Sequence, residues 1–189
     1  TYTYALQVKL ADPTIYVGDA TAATATYITY ADGVQSSTKD VTSSASWSSG
    51  TSAVASVSGG TVTGKASGTS VIKATYNGYT ASATVTVSDV VTHSLEVSIS
   101  SSSIYVGENT SATASYITYT NGTRTSSKDV TSSATWSSSS TTVATVSGGT
   151  ITGKSAGSAT ITSKYAGYSD DVTVSISTKS VNYTYKLVV

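Results

Sequence analysis

The chain has 189 residues, enough for one large domain or two small ones, and ten Lys+Arg against ten Asp+Glu give it a formal net charge of zero. Only 11% of its residues are charged, which excludes the basic stripe that nucleic-acid binding needs and also excludes charge-driven disorder. Ser and Thr fill 74 positions, about 39%, while Cys, Met and Phe are absent. Without Cys there is no disulfide framework, thiolate metal site or thiol nucleophile, and no apolar run approaches the length of a membrane span. Four Leu and two Glu against 31 Val plus Ile disfavour long helices and point to an all-β chain.

In chain order, Tyr4–Leu10 and Thr14–Val17 read as strands parted by Asp12-Pro13. Thr21–Tyr30 alternates and places Ala23, Ala25 and Tyr27 on one face, and Asp32-Gly33 then closes a turn. Trp47 lies on the next extended segment, where it needs small neighbours to avoid overpacking. Val54–Ser58 runs into the hairpin signal Gly59-Gly60 and on into Thr61–Thr63. Beyond Gly68, the residues Ser70, Ile72, Ala74 and Tyr76 share a face, Asn77-Gly78 is the strongest hairpin signal, and Ala83, Val85 and Val87 alternate on a last strand. Seven or so strands at this spacing predict an immunoglobulin-like sandwich.

The pattern then recurs. A shift of 89 residues lays the sequence on itself without a gap, and 44 of the 83 positions from Leu6 to Ser88 are identical to their copies. That period is too long for a solenoid unit and fits a small independent domain. The expected architecture is two tandem immunoglobulin-like Greek-key β-sandwiches without disulfides, covering 1–90 and 91–180, with 181–189 a linker or the first strand of a further repeat. Tyr183-Thr184-Tyr185-Lys186-Leu187-Val188-Val189 echoes Tyr2-Thr3-Tyr4-Ala5-Leu6-Gln7-Val8. A longer array is preferred as the explanation over exchange of a terminal strand with a neighbouring subunit. The start at Thr1-Tyr2-Thr3, without Met, is expected of a processed product or a fragment.

The ordered motifs are Tyr16-Val17-Gly18, Asp40-Val41-Thr42, Trp47-Ser48-Ser49, Val54-Ala55-Ser56-Val57, Gly60-Thr61-Val62-Thr63-Gly64, Gly68-Thr69-Ser70-Val71-Ile72 and Ala83-Thr84-Val85-Thr86-Val87, and the second unit matches the series at Asp129-Val130-Thr131, Trp136-Ser137-Ser138, Val143-Ala144-Thr145-Val146 and Gly157-Ser158-Ala159-Thr160-Ile161. This series resembles the bacterial immunoglobulin-like domain of group 2, the type found in intimin and invasin-like adhesins. The resemblance implies a sandwich without the disulfide and carries no universal binding site. It implies a non-catalytic module displayed outside the cell, an adhesion or spacer element of a bacterial surface protein. Two alternatives stand beside it: a phage head or tail decoration or fibre protein that binds host-surface glycans weakly, and accessory domains of a carbohydrate-active enzyme. The expected partners are a host-surface glycan or protein and neighbouring copies of the chain or its repeats, with no nucleic acid and no direct membrane insertion. No catalytic residue, cofactor or metal is expected.

Several motifs invite other readings. Gly148-Gly149-Thr150-Ile151-Thr152-Gly153-Lys154-Ser155 fits a phosphate-cradling loop, but such a loop needs a helix after it, and no helix pattern follows Lys154. Gly153-Lys154-Ser155-Ala156-Gly157 fits a nucleophile elbow, yet His93, the only His, is about 60 residues away. Asp170-Asp171 and Asp19/Glu108 are weighed as cation ligands against solvated turn or edge charges, which are preferred. Lys39-Asp40 and its copy read as a surface pair. Fourteen Tyr remain. Tyr27/Tyr30 and Tyr76/Tyr79 lie three apart, so one of each pair is expected in the core and the other outside. Tyr30, Tyr79, Tyr119 and Tyr168 are therefore the candidate ligand-contact aromatics, for stacking on sugars or a protein partner, set against a plain core-and-rim role for these rings.

Overall fold

Alternating small and branched residues, cut by frequent turn dipeptides, divide the chain into short strands. The computed structural model describes residues 1–180, and among those residues it contains eighteen strands and no helix. Residues 181–189, read above as a linker or further strand, lie outside the described residues. The chain divides into two compact units, Thr1–Val90 and a second that starts at Val91.

The first unit comprises β1 (Tyr2–Leu10), β2 (Thr14–Tyr16), β3 (Ala20–Ala31), β4 (Val34–Asp40), β5 (Ser46–Ser49), β6 (Ala55–Ser58), β7 (Thr61–Gly64), β8 (Gly68–Tyr76) and β9 (Tyr79–Ser88). The second comprises β10 (Val91–Ile99), β11 (Ser103–Tyr105), β12 (Asn109–Thr120), β13 (Thr123–Asp129), β14 (Thr135–Ser138), β15 (Ala144–Ser147), β16 (Thr150–Gly153), β17 (Gly157–Tyr165) and β18 (Tyr168–Ser177). In the first unit one sheet runs β1-β3-β7-β6, with β4 also on β3, and the other runs β2-β9-β8-β5. The second unit has the same two orders. In each unit the short second strand pairs parallel to the last strand, Thr14 opposite Thr86 and Ser103 opposite Ser175. The result is an immunoglobulin-like Greek-key sandwich without a disulfide, built twice.

Nine strands per unit exceed the seven or so that the sequence predicts. The omitted strand is β4 and its copy β13. All seven residues of each are exposed, so neither carries the alternation by which a half-buried strand is recognised. Room for it comes from the length of β3, whose first residues pair with β7 and whose second half pairs with β4 across a bulge at Thr29/Tyr30.

Ile15, Ala23, Val62, Ile72, Val85 and Val87 form the first core, with Trp47 packed against it. Trp47 lies opposite Ala74 in the β5–β8 pairing, the small neighbour its size demands. The Gly-Gly dipeptide has a steric cause. Gly60 has φ +86°, and a Cβ there would lie 2.4 Å from Thr42 Cγ2 and 2.7 Å from the Ala23 carbonyl oxygen. Gly149 repeats the conflict with Thr131 and Ala112.

Candidate functional site

The tyrosines gather where the first strand, the long third strand and the last hairpin of each unit meet. Tyr4 from β1 stacks on Tyr27 from β3 at 5.5 Å between centroids and 13° between planes. Tyr76 and Tyr79, which flank the Asn77-Gly78 turn, meet Tyr27 edge-on at 5.4 and 5.7 Å. Such pairs contribute about 0.5–1.5 kcal/mol each beyond burial. In the second unit His93 takes the place of Tyr4 and stacks on Tyr116 at 5.0 Å, while Tyr165 and Tyr168 meet Tyr116 edge-on at 5.4 and 5.8 Å. Burial among these rings pushes the Tyr27 hydroxyl above its ordinary pKa, and the phenols of Tyr79, Tyr4 and Tyr76 add to the effect. Burial does the same to Tyr116, helped by Tyr168 and Tyr165.

Of the four candidate contact residues, Tyr79 and Tyr168 belong to these clusters and keep 37% of their surface exposed. Tyr30 and Tyr119 are half-buried, lie just past the bulges in β3 and β12, and stand opposite Thr3 and Thr92. Neither joins the ring contacts of its unit. The structure therefore brings Tyr79 to Tyr27 and Tyr168 to Tyr116, and does not assemble the four candidates into one platform. The expected division is seen in Tyr76, half-buried, and Tyr79, exposed, but not in Tyr27 and Tyr30, which are both half-buried. Tyr4 and His93 complete the clusters. Their alternation with Leu6 and Leu95 is the sequence signal that places them on the inner face.

The repeated polar motifs have jobs in the fold. Asp40 Oδ1 accepts the Thr42 amide at 2.8 Å, Thr42 Oγ1 accepts the Ala25 amide at 2.9 Å, and the Thr42 carbonyl accepts the Trp47 indole N–H at 2.9 Å. Asp129, Thr131, Ala114 and Trp136 repeat all three bonds. Asp40 is thus a turn-capping group rather than half of a Lys39 ion pair. The Thr42 hydroxyl and amide hold its carboxyl below the usual aspartate value, and Thr131 does so for Asp129.

Asp19 and Glu108 similarly accept the amides of Tyr16 and Tyr105. Glu108 also pairs with Lys179 at 2.7 Å, and the Lys179 ammonium lies 5.4 Å from the Tyr105 ring centroid. A surface depression of about 400 Å³ beside them is lined by Tyr105, Thr178, Lys179 and Ser180. Asp170 is neither a turn residue nor a solvated edge charge: it shares the inner face of β18 with Val172 and Val174, and its Oδ2 accepts the Val97 amide at 2.7 Å. No group of three or more His, Asp or Glu that could hold a metal ion occurs among the described residues.

Thr150–Gly153 of the phosphate-loop pattern is strand β16, and Ser155 Oγ donates to the Thr142 carbonyl at 2.8 Å. His93 Nδ1 and Ser163 Oγ are buried without hydrogen-bond partners.

No family model matches the sequence, and no curated protein matches it. Among solved structures, the chain is similar to domains 4 and 5 of the S-layer protein SbsC, at 22% identity and a TM-score of 0.38, covering 90% of this chain and 96% of that one. The longer S-layer structure rSbsC(31-844) gives 21% identity and a TM-score of 0.39 over 96% of this chain, which spans 29% of that chain's length. The Escherichia coli adhesin FdeC gives 15% identity and a TM-score of 0.36, covering 92% of this chain and 64% of that one.

Proposed function

We propose that the chain is a non-catalytic, surface-displayed module of two group 2 bacterial immunoglobulin-like repeats, serving as an adhesion and spacer element outside the cell. The observation that carries this reading is what the repeated polar residues do. Asp40, Thr42, Asp19 and their copies hydrogen-bond backbone groups within their own unit, so the polar features common to both units build the sandwich. Exposed positions are largely hydroxyl residues, with half-exposed tyrosines beside them. Such a surface offers weak polar and stacking contacts that gain strength through copy number.

The test is a chain displayed in many copies on beads, applied to immobilised glycans and intact cells. Adhesion predicts retention above that of bare beads, lowered at least tenfold by Tyr79→Ser with Tyr168→Ser in variants that still melt cooperatively. Retention no different from bare beads would leave a spacer without adhesion.

A further inference from the structure

β1 and β10 occupy the same place in their units. Each is an edge strand paired through nine residues with the long strand beside it, β3 or β12. They are not fastened alike. In the second unit Asp170 accepts the Val97 amide from β18, and a charged acceptor makes a stronger bond than a neutral one. Arg124 on β13 also reaches across β12 to Glu96 at 3.2 Å, an exposed pair that adds little beside the Asp170 bond.

Subtracting the 89-residue period puts Ala81, Gln35 and Gln7 at these three positions in the first unit. Ala81 offers no acceptor, and two glutamines make no ion pair. The hinges differ as well: Ser100-Ser101-Ser102 follows β10, whereas Ala11-Asp12-Pro13 follows β1, and proline stiffens so short a connection. The start of β1 is tied to the turn after β3 by the Thr1 carbonyl, which accepts the Asp32 amide at 2.9 Å.

What β1 brings to its unit is a set of side chains: Leu10 in the core, Leu6 and Val8 against Ala25 and Val41, and Tyr4 on Tyr27. The β1 of a second copy carries the same side chains in the same register, so it refills the place with every contact restored. Exchange of an identical element is a low-cost route to a dimer.

We propose that β1 exchanges between two copies of this chain about the hinge Ala11–Pro13, while β10 stays in its own unit. The occupant is the second copy's β1. The segment Tyr183–Val189 repeats Tyr4, Leu6 and Val8 as Tyr185, Leu187 and Val189 and is the competing occupant.

The chain has no cysteine, so single introduced thiols report the exchange cleanly. Lys9 lies opposite Thr24 in the β1–β3 register, and Ser98 opposite Thr113 in the β10–β12 register. Lys9→Cys and Thr24→Cys chains are mixed, concentrated and oxidised. Exchange predicts a disulfide-linked dimer containing one of each chain and increasing with concentration, and none from Ser98→Cys mixed with Thr113→Cys. Because the exchanged dimer and the closed monomer hold the same contacts, Ala81→Asp in both chains acts on the opening of β1: by supplying the missing acceptor it slows formation of the mixed dimer by roughly tenfold or more. Gln7→Glu with Gln35→Arg slows it in the same direction, more weakly, and keeps the inner face unchanged.

Absence of the mixed dimer at all concentrations overturns the proposal. So does a rate of formation unaffected by Ala81→Asp. A dimer from Thr26→Cys with Val188→Cys, without one from Lys9→Cys with Thr24→Cys, assigns the exchanged strand to Tyr183–Val189 and also overturns it.

Discussion

Ser70 and Ser163 are both fully buried, and their surroundings give them opposite energetic signs. Ser70 Oγ accepts the Thr51 amide at 3.0 Å and pairs with Ser49 Oγ at 2.8 Å, and Ser49 Oγ in turn lies 2.6 Å from the Ala55 carbonyl. Ser163 Oγ makes no hydrogen bond, and its copy in the first unit is Ala74. Burying an unmade hydroxyl bond costs free energy, whereas removing one partner of a made bond strands the other. Ser163→Ala is therefore expected to leave the second unit unchanged or to stabilise it by about 1 kcal/mol. Ser70→Ala is expected to destabilise the first unit by about 1–3 kcal/mol, since the Thr51 amide and Ser49 lose their partner. Denaturant unfolding of the two variants beside the parent chain decides both, and a loss of stability in Ser163→Ala contradicts the assignment of that hydroxyl as unsatisfied.

At the scale of strands and turns, legibility in the sequence followed burial. β3, β8 and β9 have one buried face, so Ala23, Ala25 and Tyr27, or Ser70, Ile72 and Ala74, could be placed before any coordinates. β4 and β13 have none, and period-2 reasoning passes over them. Asp170 was illegible for another reason: its partner Val97 is 73 residues away, and only the meeting of β10 with β18 brings the two together. The tyrosines were half legible, since alternation finds the inner face but not which rings meet at one end of the sandwich. The last hairpin yields a prediction of its own. Asn77-Gly78 and Ala166-Gly167 make the same turn, with φ of +49° at Asn77 and +50° at Ala166. Asparagine tolerates the left-handed region far better than alanine. Ala166→Asn should raise the stability of the second unit by about 1 kcal/mol, which for a domain of this size is a rise in Tm of roughly 4–8 °C. Asn77→Ala should lower the first unit by a similar amount, and calorimetry reads both shifts.

For the whole molecule, duplicated polar turns and aromatic clusters contribute to the pH dependence of stability. Asp40 and Asp129 have carboxyls held below their ordinary value by Thr42 and Thr131. A depressed folded pKa contributes stability above the unfolded value, near pH 4, and that contribution is lost as pH falls through the folded value. Tyr27 and Tyr116 are raised, chiefly by burial. Their contribution has the opposite sense: it is complete below the unfolded value, near pH 10, and is lost as pH rises through the folded value, because a phenolate among packed rings is poorly solvated. Stability is therefore expected to be flat in its dependence on these groups from about pH 5 to 9 and to fall on both sides. Since the groups come in matched pairs, one in each unit, both units should lose stability in the same two windows. Asp40→Asn with Asp129→Asn should flatten the acid limb and leave the alkaline limb intact, and Tyr27→Phe with Tyr116→Phe should do the reverse. Thermal melts from pH 2 to 12 on the parent and the two double variants separate these effects, and an acid limb as steep in the asparagine variant as in the parent would remove the turn aspartates from the explanation.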